Sequence, residues 1–145
     1  MVSSVGRFKM NGIVKKGISP NIASFVGAGT VRTYVLGEAN KAPTPAQLDS
    51  MKALVAQAMQ DGALGVTCAL IYPPDNFAST EELIELCKEA SKYGGTYSSH
   101  MRSEGIKFTQ AVSELLRIAR EAKIPAEIHH LKAGGKNNWN KMDSV

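Results

Sequence analysis

The sequence predicts an α/β fold in which parallel strands alternate with helices, and three observations carry that reading. Apolar runs of strand length recur along the chain, stripes of apolar residues at helical spacing lie between them, and capping signals separate the two. This is the grammar of right-handed βαβ units on a parallel sheet. The later strands begin near Gly95 and Ala126, a spacing of roughly 30 residues that suits one βα unit. Two architectures use this grammar, the doubly wound open sheet and the (β/α)8 barrel. A complete barrel runs to roughly 250 residues, so four strands make about half of one. No linker or composition shift divides the chain, so residues 1–145 are expected to form one domain.

The first strand is expected over residues 21–27, NIASFVG, bounded by Ser19-Pro20 and leaving through Gly27-Ala28-Gly29 into a loop. A helix follows in TPAQLDSMKALVAQAMQDG. Thr44 caps it, Pro45 takes the first helical position, Gln47 completes a capping box and Gly62 terminates it. Its packed face is Leu48, Met51, Val55, Ala58 and Met59. Residues 63–71, within ALGVTCALIY, are apolar almost without interruption, as in a strand buried on both faces, and Pro73-Pro74 stops the run. A second capping box, Ser79 with Glu82, opens a helix striped by Leu83, Leu86, Cys87 and Ala90 and closed by Gly94. The third strand is expected over 95–100. Phe108, Ala111, Val112, Leu115, Ile118, Ala119 and Ala122 then mark a helix that closes before Pro125, and the fourth strand is expected over 126–131. The last residues, GGKNNWNKMDSV, read as a loop entering a helix.

Bulk properties exclude several classes. At 43% hydrophobic the chain can build a core, so disorder is not expected. The opening MVSSVGRFKM has no apolar signal region, and no run approaches the roughly 18 apolar residues of a membrane span, so a cytoplasmic chain without membrane partners is expected. The net charge of +4 is scattered rather than blocked, with no aromatic and basic interleaving to suit nucleic acid. Cys68 and Cys87 lie in apolar surroundings without a C-x-x-C pattern and read as reduced, buried thiols.

In both architectures ligands bind at the carboxyl ends of the strands, which makes the residues finishing each strand informative. Two ends carry histidine. By strand alternation His100 shares a face with Arg102, and His130 shares one with Lys132. Two neutral imidazoles on adjacent strands could converge on one zinc ion, each with a cationic side chain beyond it to meet an anionic substrate. His129 points to the face opposite His130, and periodicity does not choose between them.

The segments NIASFVGAGTVR, DGALGVTCALIYPPDNFASTEELIELCKEASKYGGTYSSHMRSE and PAEIHHLKAGGKNNW together resemble the middle of the N-acyl-D-amino-acid deacylases (D-aminoacylases) of the amidohydrolase superfamily. The motifs that carry the resemblance are Y-x-S-H-M-R-x-E and H-L-K, in this order and separation. It implies a partial (β/α)8 TIM-type barrel, roughly strands 3 to 6, with His100 and His130 as zinc ligands ending the fifth and sixth. It selects His130 over His129. Lys132 matches a lysine that helps hold the substrate's α-carboxylate, while Arg102 is expected either to bind that carboxylate or to pair with Glu104. The implied activity is zinc-dependent hydrolysis of an N-acyl-D-amino acid to a carboxylate and a free D-amino acid, with an aspartate passing the proton to the leaving amine.

The resemblance places that aspartate, a metal-binding cysteine and further histidine ligands on strands outside this stretch. Catalytic residues are therefore not assigned here, and the chain alone is expected to be inactive. Cys68 falls in the fourth-strand segment and is expected to be a core residue, not the missing ligand. Ala28 stands where relatives often carry histidine. A hydantoinase-like or dihydroorotase-like cyclic amidase is the nearest alternative, but such enzymes commonly bridge their metals with a lysine on the fourth strand, and ALGVTCALIY has none. A non-catalytic doubly wound binding domain is a further alternative, although GAGT makes a poor phosphate loop. Half a barrel leaves strand edges and an apolar inner face exposed, so self-association is expected.

Overall fold

The computed structural model describes Gly12 and residues 15–145, so the reading of the first ten residues lies outside the described part. Four strands, β1 (Val26–Gly27), β2 (Gly65–Ala69), β3 (Thr96–His100) and β4 (Ala126–Ile128), form one sheet in sequence order. All three pairings are parallel. Val26 lies opposite Val66, Val66 opposite Tyr97, Ala69 opposite His100, and Tyr97 opposite Ala126. Four α-helices follow the strands in the described residues from Val26 onward: α1 (Ala28–Leu36), α2 (Pro45–Gln60), α3 (Thr80–Ser91) and α4 (Phe108–Ala122).

The helices cover one face of the sheet. Val66, Cys68, Leu70 and Tyr97 point into a single core with Val31, Met51, Val55, Leu83, Leu86, Leu115 and Ile118. By alternation Thr67, Ala69, Thr96, Ser98 and His100 take the other face, together with the exposed Glu127. The expected apolar inner face is therefore corrected: it is small and polar.

Capping explains where the helices start. Thr44 Oγ1 accepts from Gln47 N, and Gln47 Oε1 accepts from Thr44 N, which completes the box at α2. At α3 only half the expected box forms. Ser79 Oγ accepts from Glu82 N at 3.1 Å, but the Glu82 carboxylate turns inward to Arg32 Nη1 at 2.5 Å. Both members of that pair are buried, and Arg32 also donates to Lys41 O.

α1 is the largest departure from expectation, since a loop was expected where a helix begins directly after Gly27. Its sequence, AGTVRTYVL, is poor in intrinsic helix formers because Thr and Val are stiff at the first side-chain torsion. Burial of Val31, Arg32 and Leu36 overrides that preference. Gly29 has a positional reason: a Cβ there would lie 1.4 Å from Asp75 Oδ1. The C-terminal residues also differ. They form a 3-10 segment over Lys136–Ser144, which Lys141 ties to the loop after β3 through Gly105 O and Ile106 O.

β1 and β4 are shorter than the expected spans of 21–27 and 126–131. The second shortening matters for the site, because β4 ends before His130.

Candidate metal centre

His100 is the last residue of β3 and is held on the β2 side by backbone pairing, opposite Ala69, its own carbonyl accepting from Leu70 N at 2.9 Å. The chain then leaves the strand. Met101 drops into a second apolar cluster with Phe108, Ala111 and Val112, anchoring the loop to the start of α4. Arg102 therefore does not continue the strand alternation, and the expected common face with His100 is corrected. Its Nε and Nη2 donate to the Glu114 carboxylate on α4, Nη1 to Asn76 O, and Nη2 to Ala78 O. Every nitrogen of the guanidinium has a partner within the fold, and the carboxylate it meets is Glu114, not the expected Glu104.

The loop returns Glu104 beneath the strand ends. Gly134 N donates to Glu104 O, joining this loop to the one after β4. On that side His129 N still donates to Ser99 O at 2.9 Å, and the His129 ring meets Ser98 Oγ through Nε2. His130 adopts a left-handed backbone, with φ of 39°. A turn of this kind redirects the side chain that strand alternation would have placed. The His130 ring thereby reaches the His100 ring, with centroids 4.5 Å apart in an edge arrangement.

Glu104 Oε1 is the centre of the cluster. It lies 3.0 Å from His130 Nδ1, 3.4 Å from His100 Nδ1 and 2.5 Å from Lys132 Nζ. Lys132 Nζ also donates to His130 Nδ1 at 2.9 Å. The contact to His100 is an electrostatic one only: its Nδ1 is buried and makes no hydrogen bond. An orphaned ring nitrogen facing a carboxylate and a second imidazole fits a cation site, since unpaired buried polar atoms are rare. Donor atoms from His100, Glu104 and His130 all lie within 4.8 Å of one another.

The electrostatics suit cation binding. Burial, reinforced by the neighbouring His130 and Lys132, holds the His100 imidazole below its ordinary pKa, although Glu104 pulls the other way. Burial alone would raise the Glu104 carboxyl, but the Lys132 ammonium and both histidines outweigh it, and the group titrates below the usual carboxylate range. A neutral imidazole beside an ionised carboxylate is a competent donor set for zinc.

Of the residues singled out in the sequence, His100, His130 and Lys132 come together and Arg102 does not join them. Glu104 was not counted as a site residue, although its place four residues after His100 in H-x-R-x-E carried the signal. Cys68 lies on the helix-facing side, with its Sγ 2.9 Å from Tyr97 Oη and 3.3 Å from Ser99 Oγ. Burial pushes its thiol up to about 11, even though hydrogen bonds from Ser99 and Tyr97 oppose the shift. The Tyr72 ring, 5.7 Å from that of His100, flanks the site.

No protein-family model matches the chain. A D-aminoacylase of Alcaligenes xylosoxydans xylosoxydans is 39% identical over 121 residues, covering 83% of this chain and 25% of the relative. An N-acyl-D-aspartate deacylase of the same organism is 34% identical over 119 residues, covering 81% and 24% respectively. Among solved structures, a D-aminoacylase described as defining a novel subset of amidohydrolases superposes with a TM-score of 0.81 at 39% identity, covering 86% of this chain and 26% of that one. The N-acyl-D-glutamate deacylase of Bordetella bronchiseptica, complexed with zinc and a phosphonate mimic of the tetrahedral intermediate, superposes with a TM-score of 0.82 at 29% identity and the same coverage. The chain thus spans about a quarter of the length of the relatives it matches.

Proposed function

Since this chain is homologous to a segment of the D-aminoacylases, which are amidohydrolases, we propose that it supplies part of the active centre of a zinc-dependent deacylase. The substrate would be an N-acyl-D-amino acid, and the products a carboxylate and a free D-amino acid. The observation that carries the reading is the convergence of His100, His130, Glu104 and Lys132 at the carboxyl ends of adjacent parallel strands.

In this reading His100 and His130 hold the metal, which when bound would polarise the amide carbonyl and make water nucleophilic near neutral pH. The remaining work falls to the chain's own side chains. The Lys132 ammonium meets the substrate's carboxylate. Arg102, spent on Glu114 and two loop carbonyls, fixes the loop that carries Glu104 and does not contact substrate. Cyclic-amide hydrolysis is disfavoured because β2 offers no lysine to bridge two metals.

Two histidines and one carboxylate on an open sheet make a wet, partial site. A positioned proton-transfer group contributes about 10²- to 10⁴-fold, and the resemblance places that aspartate outside this stretch. Zinc titration of the 145-residue chain tests the metal reading: His100→Ala and His130→Ala should each abolish binding, and equal binding by all three would sink it. Release of D-amino acid from an N-acetyl-D-amino acid tests the activity. A longer protein containing this segment should turn over in a zinc-dependent way and this chain should not. Zinc-independent turnover by the longer protein would defeat the proposal.

A further inference from the structure

The Lys132 ammonium stands where a cation bound between Glu104 and His130 would stand. Its Nζ lies 2.5 Å from Glu104 Oε1 and 2.9 Å from His130 Nδ1. Because the donor atoms of His100, Glu104 and His130 lie within 4.8 Å of one another, the three share one small space. That space does not hold an ammonium and a divalent ion together, since like charges so close repel strongly where water is partly excluded. Glu104 is mostly buried, with its side chain 16% exposed, and it supplies a negative charge that imidazole ligands do not.

We propose that Lys132 is a placeholder cation, occupying the Glu104 and His130 pair until a divalent metal displaces it and Glu104 becomes a third protein ligand. The inference rests on the reading that His100 and His130 hold a metal, and extends it to how the site is loaded. The exchange is sterically open. The Lys132 side chain is 55% exposed, so its ammonium can swing into water on a flexible stem, giving up its contacts to Glu104 and His130. Released from Glu104, it is free to pair with an anionic substrate group. Metal occupancy and anion binding are then linked, each favouring the other, because both are opposed by the same Lys132 to Glu104 contact.

The test is calorimetric titration with zinc ion at fixed pH and salt. It uses the 145-residue chain and the variants Lys132→Gln, Glu104→Gln, His100→Ala and His130→Ala, with folding checked by circular dichroism. Lys132→Gln should bind zinc roughly tenfold more tightly than wild type, the scale of one exposed ion pair lost together with a removed repulsion. Glu104→Gln should bind at least about tenfold more weakly, as expected on losing an anionic ligand. Equal or weaker binding by Lys132→Gln overturns the proposal. If the histidine variants bind as well as wild type, the metal reading falls and this inference with it. If they lose zinc while Lys132→Gln gains nothing, the placeholder role alone fails. A second readout needs no substitution at the site: acylation of Lys132 by an N-hydroxysuccinimide ester, followed by mass spectrometry, should rise severalfold on adding zinc. Unchanged or reduced labelling counts against displacement.

Discussion

Arg102 and Lys132 occupy matching places in the motifs H-x-R and H-x-K, yet the fold uses them in opposite ways. Arg102 binds Glu114 through Nε and Nη2 and two loop carbonyls, whereas Lys132 makes only exposed contacts. Arg102→Ala should therefore lower unfolding stability by about 1.5–3 kcal/mol, the range for hydrogen bonds to charged groups. Lys132→Ala should cost less than about 1 kcal/mol, as for a surface pair. Urea denaturation of the two variants checks the contrast, and equal losses would contradict it. The difference was not legible in the sequence because β3 ends at His100, and alternation carries no information past the last paired residue. The same limit applies to His130, whose direction is set by a left-handed turn. What was legible was which side chains gather: His100, His130 and Lys132 lie together in the structure, with Glu104 of the same motif between them.

The thiols belong to this scale as well. Burial raises Cys68 from 9.0 to about 11 and raises Cys87 further, so neither is a thiolate near neutral pH. Ellman's reagent should label neither in the native chain at pH 8 and both after unfolding. The folded pKa of Cys68 lies above the unfolded one. Between pH 9 and 11 the unfolded thiol ionises while the folded one keeps its proton, so the unfolded state binds fewer protons and stability falls as pH rises. Its contribution is complete below pH 9. A denaturation midpoint that holds steady from pH 8 to 10.5 would contradict the assignment.

Among the elements, those marked by side-chain signals were readable and those created by packing were not. The Thr44 and Gln47 box announced α2, and the apolar stripe announced α4. α1 carries no cap of that kind, and its β-branched residues argue locally against a helix that exists because Val31 and Leu36 complete the core. Thr44→Ala should cost about 1 kcal/mol, the ordinary value of an N-cap. Gly65 at the start of β2 is a more severe position. Its φ is 154°, and an added Cβ would lie 1.8 Å from Thr96 O, which is backbone of the adjacent strand and cannot swing aside. Gly65→Ala should cost more than about 3 kcal/mol, since both strain and displacement of β3 are required. Thermal unfolding should rank the two variants in that order.

At the scale of the molecule, the parallel sheet and the order of its four strands were legible, because a repeated strand, cap and stripe pattern admits few topologies. The character of the open face was not, since small polar residues such as Thr67 and Ser98 interrupt the apolar runs without breaking them. Among the described residues no further strand pairs with β1 or β4, so both stand at the edges of the sheet. Both edge strands are very short, two and three residues, which limits edge pairing. Self-association should accordingly be weak and concentration-dependent in sedimentation velocity. A species that stays monomeric at millimolar concentration would show that the open face needs no cover.

The strands lie in the sheet in the order in which the ribosome makes them, so no strand has to insert between two earlier ones. Each new strand emerges with its pairing neighbour already complete, and the growing edge is the docking template. His100 and His130, however, belong to successive additions. At translation rates of roughly 5–20 residues per second, the first histidine waits roughly 2–6 s for the second. During that interval this stretch contributes only His100 and Glu104 to the cluster, so in the metal reading its share of the centre is complete only after the residues that carry His130 have been made.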